Sequence, residues 1–213
     1  MPKARRVSPP TPSPPRPRRC DVRAVGQPSS GQRPRGLPAP VQRRPRLSEQ
    51  STLREVMSQF ATGITVLTAG GENGHGMTAN AFSSVSLDPP MVLCCVSRAA
   101  RMHEAIVSAQ SFAVSILGAG QREQARYFAD WRRPRGLAQF DEVDWTPGPS
   151  TGAPLLTGSL AWLECRLAQT HEGGDHSIFV GEVLGSGRGT SRQALLFYGG
   201  GYHQVGAPTK ATA

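Results

Sequence analysis

Several short motifs contain residue types that carry out chemistry, but their spacing fits no common site. Gly118-Ala119-Gly120 lies between a predicted strand and a predicted helix, yet Glu123 stands where a dinucleotide-binding fingerprint needs its third glycine. The glycine-rich run over 185–189 is not followed by the Lys-Ser/Thr pair of a P-loop. His171 and His176 lack zinc-ligand spacing, and no G-x-S-x-G elbow accompanies them. These motifs therefore predict no Rossmann-type nucleotide site, no metal site and no catalytic triad.

A segment over 76–84 is rich in the small and polar side chains that suit a flat ligand. The small residues from Thr78 to Ala81 would let the backbone approach a ring closely, and Asn80 and Ser83 can hydrogen-bond its polar edge. On spacing alone, the alternative is an ordinary Ser/Thr-rich strand and turn.

A second polar segment, Ser97 to Arg101, follows a central apolar run. Its hydroxyl and its two guanidiniums, on Arg98 and Arg101, stand beside a predicted helix start, where anions bind favourably. For either arginine alone, the alternative is a solvated surface charge.

The apolar residues that open the domain recur at helical spacing. They are Leu53, Val56, Met57 and Phe60. Ser48 or Ser51 can cap this helix, and Gly63 ends it. Two further helices are predicted, over 101–109 and 121–129.

Strand patterns dominate the rest of the chain. Strands are predicted over 64–68, 75–80, 85–87, 91–96, 112–117, 160–170, 177–184 and 195–198, and residues 130–158 are predicted to be irregular. The continuous apolar run from Met91 to Val96 favours a strand buried on both faces. The pattern predicts a mainly β fold, a closed or nearly closed antiparallel barrel with two or three helices packed outside.

The positive charge of the chain is confined to its first 47 residues. The formal net charge is +9, but residues 1–47 carry +11 and residues 48–213 carry −2. The first 47 residues also hold 12 of the 19 prolines and no Ile, Phe, Trp or Tyr. Because such a segment cannot bury enough apolar surface to offset its ordering entropy, we expect a disordered tail that binds polyanions weakly at most.

The cysteine pattern favours reduced thiols. Cys20 lies in the tail, Cys94 and Cys95 are neighbours on opposite strand faces, and no CxxC occurs.

No apolar run is long enough to span a membrane or to serve as a signal peptide. The sequence is therefore expected to be a cytoplasmic globular domain without a membrane segment.

Three blocks of sequence, in this order and spacing, resemble one family. The first runs from Gly76-Met77-Thr78-Ala79-Asn80-Ala81-Phe82-Ser83-Ser84 to Val96, the second is Ser111 to Leu117, and the third is Gly173 to Val183. Together they resemble the flavin reductase domain of the short-chain reductase components of two-component flavin monooxygenases. The resemblance covers about residues 52–204.

The resemblance implies a fold and a function. The fold is an antiparallel FMN-binding split β-barrel of Greek-key type with two or three peripheral helices, here over 48–207, followed by a flexible end over 208–213. The function is that of an NAD(P)H:flavin oxidoreductase, which passes a hydride from NADH or NADPH to FMN or FAD and supplies the reduced flavin to a partner monooxygenase. Family members are homodimers with each flavin site near the subunit interface.

The resemblance also implies site residues. His176 looks like the family histidine that faces the nicotinamide and the flavin, and Asp175 would orient it. The residues implied for flavin binding are Met77, Thr78, Ala79, Asn80, Ala81, Ser83, Ser84, Val96, Ser97, Arg98, Arg101 and Tyr202. Relatives often have an arginine near an aromatic after the last strand, but here three glycines occupy that stretch. Tyr202 or His203 could replace it, which leaves the coenzyme preference open.

Two other classes of function stay open on the sequence alone. One is a split-barrel flavin-binding oxidase or carrier related to pyridoxamine-phosphate oxidases, which would retain stoichiometric flavin without oxidising nicotinamide. The other is a nucleic-acid-binding protein acting through residues 1–47, whose DNA binding would depend on salt and on that tail.

Overall fold

The computed structural model describes residues 52–71 and 74–205. The predicted disordered tail over 1–47 and the predicted flexible end over 208–213 lie outside the described residues. The helices are α1 (Leu53–Met57), α2 (Arg101–Ala109) and α3 (Arg122–Ala129). The strands are β1 (Thr62–Gly63), β2 (Thr65–Ala69), β3 (His75–Ala79), β4 (Phe82–Leu87), β5 (Pro90–Ser97), β6 (Ser111–Ile116), β7 (Trp145–Pro147), β8 (Pro154–Leu156), β9 (Ala161–Gly173), β10 (His176–Arg188), β11 (Leu195–Tyr198) and β12 (Gly201–Gln204).

The main sheet has seven antiparallel strands in the order β3-β2-β6-β9-β10-β5-β4. Its two edge strands, β3 and β4, are joined by only Asn80 and Ala81, so the sheet must roll until its edges approach each other. No ladder joins β3 to β4 among the described residues, and the Cys95 N–H that donates to Ala81 O at 2.9 Å only extends the pairing of β5 with β4. The sheet is therefore left open at this corner, and the predicted mainly β class is confirmed.

The strand β5 is buried on one face only, and the prediction of burial on both faces is wrong. Val92, Cys94 and Val96 lie in the core, whereas Leu93 and Cys95 remain partly exposed on the opposite face. The prediction failed because an unbroken apolar run also occurs in a strand with one face in the core and the other face available to a ligand or a second chain.

The core lies between the inner sheet face and the helices. Phe112, Phe179 and Met102 are fully buried in the cluster beneath α2, and Phe128 and Phe140 are buried in a second cluster beneath α3. These large side chains fix α2 and α3 against the sheet through burial of apolar surface.

The helix α1 differs from its prediction in both length and packing. Thr52 caps it in a capping box with Glu55, in place of the predicted Ser48 or Ser51, and it ends after five residues. None of its residues is buried: Leu53 is 77 % exposed and Phe60, just beyond it, is 65 % exposed. The helical apolar spacing is real, but the stripe does not face this chain's core.

The short strand β1 and the last two described strands form a small second sheet, which the sequence only partly predicts. The order is β1-β11-β12, and Gly199 and Gly200, both with positive φ, make the tight turn between β11 and β12. The strand β12 was not predicted, because the two glycines before it and the glycine that begins it hide its pattern. Within the described residues, no helix is long and apolar enough to span a membrane.

Candidate active site

The outer edge of β3 presents backbone groups to a ligand. At Gly76 these groups are bound by the protein: the N–H donates to Gln139 Oε1 at 2.9 Å, and the C=O accepts from the Arg133 guanidinium. Because alternate residues of a strand present their N–H and C=O to the same edge, Thr78 and Asn80 direct theirs the same way. This edge can therefore pair with the donors and acceptors of a flat heterocycle.

A cavity of about 700 Å³ lies at the split corner where β3 passes into β4. Leu93 and Cys95 supply apolar surface, and Asn80 and Ser83 supply polar atoms. Its further walls are Arg54, Met57, Ser58, Phe60, Thr62, Ala81, Phe82, Phe197 and Gly200. A volume of this size, mostly apolar with a few polar groups, suits a ring system as large as a flavin. We call this space the corner cavity.

His176 lies beside the corner cavity on the same sheet face. It pairs across the strands with Ser97, and Ile178 pairs with Cys95, so all four side chains point to one face. At about 3.3 Å of rise per residue, His176 is roughly 7 Å along the strand from the level of Cys95. The imidazole is therefore carried on the same face as Cys95, two residues further along the paired strands.

The His176 ring is held from its Nδ1 side. Nδ1 is 2.8 Å from Asp175 Oδ1, and the hydrogen bond from His176 is the main cause that lowers the pKa of the Asp175 carboxyl. With Nδ1 donating to this carboxylate, Nε2 is the nitrogen left for a ligand. The side chain is 44 % exposed, so a coenzyme can reach it.

Arg98 fastens the turn that carries His176. Its backbone N–H donates to Asp175 O at 3.0 Å, its guanidinium donates to Gly174 O, and it lies 4.0 Å from the Glu172 carboxylate. The guanidinium thus turns toward the β9–β10 hairpin. Arg98 positions the turn that carries His176, and its contact with a phosphate stays a prediction.

Arg101 faces a second cavity, of about 440 Å³, on the other side of β3. Met77 and Thr78 line it as well, together with His75, Ala99, Ala100, Phe128, Ala129, Trp131 and Arg133. The Thr78 hydroxyl donates to Ala125 O at 2.7 Å, so this hydroxyl is already used to join β3 to α3. We call this space the arginine cavity.

The predicted site residues therefore fall into separate groups. Asn80, Ala81 and Ser83 line the corner cavity, whereas Met77, Thr78 and Arg101 line the arginine cavity. Ser97 and Arg98 lie at the end of β5 beside His176, and Ser84 is exposed on β4 without lining either cavity.

Two predicted residues have side chains in the core. Ala79 is buried against the cluster beneath α2, and Val96 is buried in the same cluster. Only their backbone groups can reach a ligand, and their part in flavin binding stays a prediction. The small side chain of Ala79 packs in the core while its backbone belongs to β3.

Tyr202 has a neighbouring cation that the sequence did not reveal. Its ring packs edge-on against Phe197 at 5.7 Å between centroids, and the Arg122 guanidinium lies 6.0 Å from the Tyr202 ring. Phe197 in turn lines the corner cavity. Arg122, at the start of α3, thus brings a guanidinium close to the aromatic residue of β12.

Sequence reasoning also missed wall residues from distant elements. Met57 and Phe60 of the first segment line the corner cavity, and Trp131 and Arg133 of the irregular stretch line the arginine cavity. The helical spacing of Met57 and Phe60 was a usable signal for an apolar face, although it was not connected with a ligand site. No local pattern marks Trp131 or Arg133.

The chain is similar in sequence to known flavin reductases. The model of the flavin reductase like domain matches residues 57–206. An NADH-dependent FAD reductase from Streptomyces globisporus is 51 % identical over 152 residues, which cover 71 % of this chain and 84 % of that protein.

Two solved structures are also similar. The flavin reductase component of a bacterial two-component tryptophan halogenase superposes with a TM-score of 0.71 at 47 % identity, covering 73 % of this chain and 98 % of that one. The Streptomyces globisporus NADH:FAD oxidoreductase in complex with NAD and FAD fragments superposes with a TM-score of 0.68 at 46 % identity, covering 76 % and 93 % of the two chains.

Proposed function

The chain belongs to the flavin reductase like domain family, and from this premise we propose how its residues carry out the reaction of a nicotinamide-dependent flavin reductase. The enzyme passes a hydride from the nicotinamide of NADH to a flavin, and the reduced flavin is supplied to a partner monooxygenase. The protein's part is to hold the two rings in contact and to stabilise the negative charge that the flavin gains.

The flavin ring occupies the corner cavity in this proposal. Its flat apolar part lies against Leu93 and Cys95, while Asn80, Ser83 and the open backbone edge at Thr78 bind its polar edge. Backbone N–H groups at this edge are fixed donors, so they stabilise developing negative charge without reorganising. No side-chain nucleophile is needed for hydride transfer.

The nicotinamide lies between the flavin and His176. The observation that carries the proposal is the pairing of His176 with Ser97, which supports an imidazole on the same face as Leu93 and Cys95 and about one ring away. His176 Nε2 would orient the carboxamide end of the coenzyme, and Asp175 and Arg98 would keep the imidazole in place.

NADH and FAD are the substrates that we expect the chain to prefer. The similar protein from Streptomyces globisporus is named an NADH-dependent FAD reductase, and other relatives are named for FMN or for flavin in general. A steady-state assay of coenzyme oxidation tests this, with riboflavin, FMN and FAD each supplied with NADH or NADPH. Faster turnover with NADH than with NADPH is expected, and a preference for NADPH, or no oxidation with any flavin, would overturn the proposal.

We also propose a homodimer that completes the site. Leu53, Val56, Met57 and Phe60 form an exposed apolar stripe, and Met57 and Phe60 are at the same time walls of the corner cavity. Burying this stripe against a second copy would cover the half-exposed face of β5 and shield the flavin from water.

Substitution of the stripe tests the dimer. Phe60→Ser should shift the protein toward monomer in sedimentation analysis and weaken flavin binding as well. Val107→Ser is the matched control, because Val107 is also exposed but lies on α2, outside the stripe. An unchanged oligomeric state in Phe60→Ser would contradict an interface at this stripe.

A further inference from the structure

The wall of the corner cavity contains one charged side chain. Among the described residues that line it, Arg54 of α1 is the single cation, and none is acidic. The other walls are apolar or carry neutral polar groups such as those of Asn80 and Ser83. Because a guanidinium is a permanent cation in proteins, the cavity holds a positive charge that its own wall does not balance.

Arg54 has no acidic partner in the part of the chain that the structure describes. The carboxylate of Glu55, the next residue, is engaged in the capping box, where it accepts from the Thr52 N–H at 2.6 Å and from the Thr52 hydroxyl at 3.0 Å. The ion pairs among the described residues all involve other side chains. An exposed arginine without a partner is ordinarily a solvated charge, but this one lines a cavity that fits a flavin ring.

The helix that carries Arg54 is held at the cavity by its C-terminal end. Although α1 buries none of its side chains, the Gly199 N–H donates to Ser58 O at 2.8 Å, and the Tyr198 hydroxyl donates to Gln59 Oε1 at 3.3 Å. The strand β1, which follows, pairs with β11. These bonds join α1 to the turn between β11 and β12 on the opposite wall, so the position of Arg54 is set by the fold.

Hydride transfer creates the kind of charge that this cation can stabilise. The C4–H bond of the dihydronicotinamide breaks with both of its electrons, and a new N–H bond forms at N5 of the flavin. The nicotinamide is thereby oxidised to a pyridinium cation, and the flavin is reduced to an anion with its charge over N1 and the neighbouring carbonyl oxygen. An interaction that is stronger with this developing charge than with the neutral oxidised ring accelerates the reaction.

We propose that Arg54 is a catalytic residue, whose guanidinium contacts the flavin ring in the corner cavity and stabilises the negative charge of its reduced form. This inference rests on the proposed function, since that function places the ring in the corner cavity. Arg54 acts together with the backbone donors at the edge of β3, and both are in place before the charge develops.

The phosphate of FMN or FAD is the other anion that an arginine in this position could bind. The composition of the wall favours the ring, because apolar and neutral polar groups surround Arg54 and no second described cation joins it there. A phosphate is usually bound by several donors together. Riboflavin has the same ring and no phosphate, so it separates the two possibilities.

Arg54→Gln tests the proposal by titration of the full chain with oxidised riboflavin and, without oxygen at mildly alkaline pH, with chemically reduced riboflavin. The Kd for the reduced form should rise roughly 10-fold, while the Kd for the oxidised form changes much less, so the reduction potential of the bound flavin falls. Arg54→Lys keeps the charge and should restore most of the affinity for the reduced form.

Arg188→Gln is the matched control. Arg188 is also exposed and forms no ion pair among the described residues, but it lies at the end of β10 and does not line the corner cavity. Its substitution should change neither Kd. Because α1 buries none of its side chains, the melting temperature of Arg54→Gln should equal that of the wild type.

Two results would overturn the inference. One is an equal change, or no change, in the Kd values for oxidised and reduced riboflavin in Arg54→Gln. The other is a loss of affinity for FMN that is absent with riboflavin, because Arg54 would then bind the phosphate. Failure of the proposed function is distinct from both, since the wild-type chain would then oxidise no NADH with any flavin.

Discussion

At the scale of single residues, the position of His176 depends on contacts made by its neighbours. The Asp175 carboxylate binds His176 Nδ1, and the backbone N–H of Arg98 donates to Asp175 O, which joins the β9–β10 turn to the end of β5. The pairing of His176 with Ser97 determines the sheet face to which the imidazole points. Among the described residues, Asp175 is the one side chain that hydrogen-bonds the imidazole, and the His176 side chain is 44 % exposed. His176 is therefore accessible to a substrate.

His176→Ala should therefore impair coenzyme use and spare flavin binding. We expect kcat/KM for NADH to fall roughly 5- to 150-fold, because the loss of one positioning contact commonly has this effect, while the Kd for flavin stays nearly constant. Steady-state kinetics and fluorescence titration on the same variant measure both. His171→Ala, an exposed histidine of β9 that pairs with Ile178, is the control. Normal kcat/KM in His176→Ala would remove the histidine from the reaction.

His75 gives a separate prediction on pH. Its pKa is lowered from 6.5 to about 4, by burial first and then by Arg133 and Arg101. The unfolded chain thus binds this proton more readily than the folded one. The stabilisation is complete above about pH 6.5 and is lost as the pH falls toward 4, by up to about 3 kcal/mol.

Urea unfolding of wild type and His75→Gln across this pH window measures the effect. The free energy of unfolding should fall more steeply with acid in the wild type than in the variant, whatever the variant's stability at neutral pH. Parallel pH profiles for the two proteins would show that His75 does not titrate on unfolding in this window.

The sequence predicted some residues of the site and missed others for a physical reason. Asn80, Ser83 and His176 belong to compact segments whose polar types are visible locally. Arg133 and Trp131 come from the irregular stretch after α3, and only the folded chain brings them to β3. Smallness at Ala79 has two possible causes that a sequence cannot separate, close approach of a ligand to the backbone and close packing of a core.

At the scale of elements, most strands were predictable because their apolar residues alternate or run together. The helix α2 and the strand β11 begin and end where the pattern predicts. The strand β12 was hidden by glycines, and the apolar spacing of α1 did not reveal that its stripe is exposed. Periodicity identifies an apolar face, but it does not say whether the chain itself covers that face.

Glycine at position 181 is required where β10 crosses the core. A Cβ at Gly181 would lie 2.6 Å from Phe112 Cζ and 2.8 Å from Cys165 Cβ, and both residues are fully buried. Gly181→Ala should therefore destabilise the domain by about 1–3 kcal/mol through overpacking. At Gly185, on the same strand, the nearest atom to a new Cβ is 3.7 Å away, so Gly185→Ala is the control. Equal melting temperatures for the two variants would contradict this account of β10.

At the scale of the whole molecule, the charge of the chain and its enzyme function belong to different regions. The family match covers residues 57–206, whereas the excess positive charge lies in residues 1–47. We propose that the first 47 residues contribute nothing to the reductase reaction, since they carry almost none of the large apolar side chains that a core needs.

Deletion of residues 1–47 should leave the melting temperature and kcat unchanged within error. Thermal unfolding and NADH oxidation, compared between the full chain and the deleted chain, measure this. Any weak, salt-dependent binding of DNA by the full chain should disappear with the deletion. An insoluble or inactive deleted chain would show that the tail packs on the domain.

A flavin reductase uses flavin as a substrate in repeated turnovers. The test mixes FAD in excess over the protein with at least as much NADH as FAD, without oxygen, and follows the loss of oxidised-flavin absorbance. All of the flavin should be bleached, at a rate proportional to the amount of protein. A chain that retains one tightly bound flavin and leaves the excess oxidised in the presence of NADH would contradict it, and would identify a flavin carrier or oxidase instead.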